Sequence, residues 1–200
     1  VGTSHALRGC VNDVMTMSEI LTSKFGFKPT NKRMLTDASA TTANILERLE
    51  WLVDGATAGD VLYFHFSGHG SQVIDTDYDT DNEPDGKDEI ICPVDLNWRD
   101  KIVKDDDFKR IFSKVPKGVN LTVMLDCCHS GGGMDSLNEY QPLGFAAPDF
   151  DPFSPNKSRQ LPMPADIENR GVGLDLKVKP RVVQTAGSEE TNGLLISGCQ

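Results

Sequence analysis

The chain has 200 residues, with 20 Lys and Arg against 30 Asp and Glu, a formal net charge of −10. That is enough chain for one α/β domain with its own core. The negative balance argues against nucleic acid or an anionic membrane surface as the main partner and points to basic ligands or cations.

No apolar run approaches transmembrane length and no signal peptide is visible, so no membrane partner is expected. Five cysteines, at 10, 92, 127, 128 and 199, are odd in number and lack framework spacing. They read as reduced thiols of a cytoplasmic protein, one of them open to reactivity.

In chain order, residues 10–25 place Val14, Met17 and Leu21 on one helical face, with Gly26 as a stop signal. Residues 41–53 do the same with Ile45, Leu49, Leu52 and Val53, and Ser39, Thr41 and Thr42 are candidate N-caps. Residues 106–115 set Phe108, Ile111, Phe112 and Val115 at helical spacing before the breaker Pro116–Lys117–Gly118. Between these lie continuous apolar runs at 61–66, 90–94 and 119–125, then 181–185 and 193–197. Continuous runs fit strands covered on both faces. The alternation gives an open, mostly parallel α/β sheet flanked by helices on both faces. Residues 1–135 form the expected core, 136–180 a long loop rich in Pro, Gly, Asn and Ser, and 181–200 late strands of the same domain. The fold is expected to lack its first strand and its C-terminal end.

Two glycine-rich stretches sit at strand ends, where open α/β sheets bind ligands. "FSGHGSQ" carries His69 and "DCCHSGG" carries Cys127 and Cys128. A cysteine attacks as a thiolate and needs a base nearby, and His69 ends a neighbouring strand. Side chains alternate along a strand, so only one of the two cysteines faces a given side. Spacing does not choose between them. The N–H groups of Gly70 and of the attacking cysteine are candidates for an oxyanion hole. His5, His65 and His129 read as structural, and no third group orienting His69 is identifiable.

Together these stretches resemble the metacaspases, caspase-related cysteine peptidases. "YFHFSGHGSQ" is similar to their histidine motif, "DCCHSGG" to their nucleophile motif and "LRGCVNDV" to their G-C-x-x-D segment. "DEIICPVD", "VKDDDF" and "LLISGCQ" resemble further family segments. The resemblance implies Cys128 as nucleophile and His69 as base in a caspase-like fold. It also implies cleavage after Arg or Lys, with Asp13, Ser67 and Asp126 lining an acidic pocket and Cys10 beside them. Desolvated carboxylates in fork geometry suit a guanidinium. The plainer readings are a helix-start carboxylate for Asp13 and a strand-end cap for Asp126. The resemblance further implies an activating calcium ion on Asp88, Asp105, Asp106 and Asp135, hard oxygen donors of the kind calcium prefers. For 105–107 the alternative is a negatively charged helix start. The acidic loop 75–89 departs from the family pattern; Asn82 and Asp88 stand where an EF-hand has Gly and Glu, and a strand rather than a helix precedes it, so it reads as a looser second calcium site or a plain solvated acidic loop.

The expected protein is a calcium-stimulated, monomeric cysteine endopeptidase acting on protein or peptide substrates with basic residues. Self-cleavage is expected at one of Lys157, Arg159, Arg170, Lys177, Lys179 or Arg181. The competing expectation is a non-catalytic calcium-binding or adaptor domain on the same scaffold.

Overall fold

A computed structural model describes residues 5–74, 87–127, 161–168 and 193–197. Helix α1 spans Cys10–Phe25 and ends at Gly26, whose φ of 73° lets its N–H return to Leu21 O. Glycine takes this left-handed conformation without a Cβ penalty. Helix α2 spans Thr42–Val53, and of the three candidate caps Thr41 is used, accepting from Asn44 N at 3.3 Å. Helix α3 spans Asp105–Phe112 and is shorter than its hydrophobic period. Its end tightens into a turn, with Val115 N bonded to Phe112 O, before Pro116 removes the next donor.

The strands are β1 (Val61–Ser67), β2 (Gly70–Ile74), β3 (Lys87–Ile91), β4 (Val103–Lys104), β5 (Asn120–Asp126) and β6 (Gly193–Ser197). A four-residue helix, α4 (Ala165–Glu168), precedes β6. The parallel sheet has the order β1-β5-β6, and a separate antiparallel sheet has the order β2-β3-β4. The parallel part follows the apolar runs. The antiparallel sheet was not foreseen, because β2 opens on Gly70–Ser71–Gln72 and β3 on Lys87–Asp88–Glu89, which carry no hydrophobic run. β3 therefore begins three residues before the apolar run at 90–94 and ends at Ile91, ahead of Pro93, which has no N–H for a ladder. The strand expected at 181–185 lies outside the described residues.

Alternation along β1 and β5 sorts their side chains onto two faces. Leu121, Val123 and Leu125 are buried, and the register sets Leu62, Phe64 and Phe66 alongside them. This face packs on Leu49 of α2 and on Phe108 and Ile111 of α3. Phe64 meets Phe108 edge-on at 5.5 Å between centroids. The other face carries Tyr63, His65, Ser67 and Asp126 and looks toward α1. Helices thus cover both faces of the parallel sheet. Among the described residues no strand precedes α1, and β1 is paired along one edge only. A cavity of about 280 Å³ between α1 and that face is lined by Val14, Met17, Leu21, Tyr63 and His65.

Residues 161–168 fall within the stretch expected to be a long loop, yet they carry α4 and lie against β2. Ile167 is buried, which the flanking Pro162 and Pro164 concealed from a periodicity reading.

Candidate active site

The C-terminal ends of β1 and β5 lie side by side, with Ser67 opposite Asp126. The Ser67 hydroxyl donates to Asp13 Oδ2 at 2.9 Å and lies 3.4 Å from Asp126 Oδ2. Asp13 is brought there by the first turn of α1, where its N–H bonds to Gly9 O at 2.9 Å. Three residues from three elements therefore meet in one polar cluster, with Cys10 one helical turn before Asp13 on the wall of the adjoining cavity. The pocket residues expected from sequence are brought together.

Past the end of β1 the pairing runs on for one step, with Gly68 N bonded to Asp126 O at 3.2 Å. A Cβ on Gly68 would sit 2.6 Å from the Phe66 ring, so the chain needs glycine there to pass over it. His69 follows. Its Nε2 lies 2.6 Å from the carbonyl oxygen of His5. A carbonyl only accepts, so Nε2 carries the proton and the basic lone pair of the neutral ring is at Nδ1. The orienting group that sequence reading did not find is thus a main-chain carbonyl. No residue type signals it, which is why it was missed. The backbone of His69 is held as well, its carbonyl accepting from Cys92 N–H at 2.9 Å.

Cys127 is 2% exposed and belongs to the hydrophobic core with Leu125 and Phe108. Cys92 is a second packed thiol, pushed up to about 12 by burial and by the neighbouring Cys127. Neither suits a nucleophile, which must reach solvent as thiolate. Cys128 lies outside the described residues, as do Asp135, His129 and the acidic stretch 75–86.

The expected metal ligands converge on one place. One carboxylate oxygen from each of Asp88, Asp105 and Asp106 lies within 4.8 Å of the other two. β3 supplies Asp88, which is 1% exposed, and the start of α3 supplies Asp105, which is 3% exposed. Burial first, and then the charge of Asp106, raise the Asp105 carboxyl to about 7; Lys109 opposes them. Oδ1 of Asp105 is buried without a hydrogen-bond partner. Lys104 Nζ stands 2.5 Å from Asp88 Oδ2 and so supplies one positive charge to the cluster. An all-oxygen, crowded, buried set with an unsatisfied acceptor fits a hard divalent cation such as calcium. A charged helix start does not account for it, since β3 contributes the most deeply buried member.

Residues 1–137 match the family described as "Metacaspase, peptidase C14 domain".

The chain belongs to this family.

Metacaspase-1 of Schizosaccharomyces pombe is 38% identical over 150 residues, covering 72% of this chain and 35% of its own length. Metacaspase-1A of Aspergillus oryzae is 44% identical over 144 residues, covering 69% of this chain and 34% of its own. The chain thus spans about a third of the length of these metacaspases. The crystal structure of GSU0716 from Geobacter sulfurreducens is similar over 100% of this chain and 66% of its own, with a TM-score of 0.59 and 26% identity. Among the described residues no helix is long and apolar enough to cross a membrane.

Proposed function

We propose that this metacaspase domain is a calcium-stimulated, monomeric cysteine endopeptidase that cleaves after Arg or Lys. The observation that carries the reading is the polar cluster of Asp13, Ser67 and Asp126, set at the ends of two adjacent parallel strands immediately before His69. Two carboxylates bridged by a hydroxyl offer a guanidinium paired acceptors, and an ammonium a point-charge site.

Support for the dyad comes from what flanks it. β1 stops two residues before His69 and β5 stops two residues before Cys128. Burial of Cys127 leaves the nucleophile role to Cys128. With Nε2–H committed to His5 O, Nδ1 of His69 accepts the thiol proton. The thiolate forms a bond to the scissile carbonyl carbon, and the oxyanion is held by the N–H groups of Gly70 and Cys128. His69 returns the proton to the leaving nitrogen as the C–N bond breaks. Water then hydrolyses the thioester and restores the thiol.

Asp88, Asp105 and Asp106 would hold the calcium ion, with Asp135 as a further ligand. Bound there, the ion supplies positive charge that relieves the repulsion among these carboxylates and fixes α3 against β3. Self-cleavage within 136–181 accompanies activity.

The test is turnover of a fluorogenic peptide ending in Arg, with and without calcium, on wild-type and Cys128→Ala protein, beside an Asp-terminated peptide. Calcium-dependent release from the Arg peptide only, lost in Cys128→Ala, is the expected result. Absence of turnover together with tight calcium binding would instead establish a non-catalytic calcium-binding domain.

A further inference from the structure

Among the groups around the acidic cluster, Lys104 brings a positive charge to a carboxylate that is almost wholly enclosed. Its backbone is fixed twice. As the last residue of β4 it pairs with Ile90 of β3, and its N–H donates to Asp107 Oδ2 at 3.2 Å. In a sheet, the residue two along from a cross-strand partner lies on the same face, within reach of a long side chain. For Lys104 that residue is Asp88, and the ammonium stands 2.5 Å from Asp88 Oδ2.

The two ends of this pair are not alike. The Asp88 side chain is 2% exposed and that of Lys104 is 18% exposed. The carboxylate is shut in, whereas the lysine has a flexible four-carbon stem partly open to solvent. Lys109, the other lysine on the cluster, meets Asp106 Oδ1 at 3.3 Å from three residues along α3 and is more exposed. That is an ordinary pair on a helix surface. Calcium binds carboxylate oxygen at about 2.3–2.6 Å, so an ion and an ammonium on the same Asp88 oxygen would stand within about 5 Å of each other. Repulsion between two cations in a buried site is little screened by salt.

We propose that Lys104 is an internal competitor for calcium: its ammonium and the ion take the Asp88 carboxylate alternately, so that binding displaces Lys104 toward solvent and the lysine sets the calcium concentration at which the domain responds. This role rests on the reading of Asp88, Asp105 and Asp106 as calcium ligands. Competition of two cations for one ligand set is a coupling, and such couplings are typically about 5- to 150-fold. The pair also neutralises a buried carboxylate, so loss of the lysine should destabilise the fold chiefly where calcium is scarce.

The test compares the full chain as wild type, Lys104→Met and Lys104→Arg. Lys104→Met keeps most of the stem and loses the charge. Calcium Kd is read by competition with a chromophoric chelator, and melting midpoints are read in chelator and in saturating calcium. Acylation of Lys104 by acetic anhydride is followed by peptide mass spectrometry, with the more exposed Lys101 as internal standard. In wild-type protein, calcium should speed the acylation of Lys104 relative to Lys101. Lys104→Met should bind calcium roughly 5- to 150-fold more tightly. It should also melt below wild type in chelator and gain more from calcium. Lys104→Arg, which retains the charge, should not tighten binding. Should Lys104→Met fail to fold, the acylation of wild-type protein decides the matter. Acylation of Lys104 that is unchanged while calcium binds would overturn the displacement. So would an unchanged or weaker Kd in folded Lys104→Met. Absence of calcium binding in wild type and variants alike, with no shift in any melting midpoint, would instead overturn the reading of the cluster as a calcium site.

Discussion

At residue scale, neighbouring positions in this chain have opposite fates. Cys127 is locked into the core beside Leu125 and Phe108, and the nucleophile proposed above is the next residue. Cys127→Ser would bury a hydroxyl in an apolar site, and a loss of about 1–3 kcal/mol is expected. Thermal unfolding should report the loss while kcat on an Arg peptide is unchanged. Cys128→Ala should do the reverse, abolishing turnover without moving the melting midpoint. Asp126 belongs to the other face of the same strand. Asp126→Asn removes one charged acceptor from the proposed basic-residue pocket, and hydrogen bonds to charged groups contribute about 1.5–3 kcal/mol. Cleavage after Arg should therefore fall by roughly 10- to 100-fold in kcat/KM. A peptide-library profile would show the preference for basic residues weakening.

At the scale of elements, α2 shows how a helix is completed from a distance. Thr41 caps it locally, but Asp95, 53 residues further on, accepts from both the N–H and the hydroxyl of Thr42 at 2.8 and 3.1 Å. Partial burial pushes the Asp95 carboxyl up, and these hydrogen bonds outweigh it, so the group ends below the usual carboxylate range. A carboxyl lowered by folding stabilises above its unfolded pKa, and that contribution is lost as pH falls through its folded value. Asp95→Ala is expected to cost about 1 kcal/mol at pH 7, as cap losses do. Urea unfolding of the two proteins should converge at a pH below the ordinary carboxylate range. Leu49, fully buried on the same helix, should cost more: about 2–5 kcal/mol for Leu49→Ala, by the same measurement.

For the whole molecule, the acidic cluster joins the antiparallel sheet to α3, so a cation there would tie two parts of the fold together. Binding to the folded state alone stabilises by about 2.7 kcal/mol at a hundredfold excess over Kd. Calcium should therefore raise the melting midpoint, a chelator should reverse the rise, and Asp105→Asn should greatly reduce it. An unchanged midpoint at millimolar calcium would remove the ion from this site.

Much of this was legible in one dimension. Gly26 as a stop, Phe108 and Ile111 on one helical face, and the apolar runs of β1 and β5 all express short-range rules. Helix period and strand burial are written into neighbouring residues, and so were the motifs around His69, Cys128 and the acidic positions. The folded chain supplied the contacts that depend on which distant segments meet. The carbonyl of His5 on His69, 64 residues away, and the Leu161 N–H on the Gly70 carbonyl are main-chain contacts that leave no trace in residue type. The choice against Cys127 likewise needed the register of β5, because alternation says only that two neighbours differ, and packing against α3 says which one is inside.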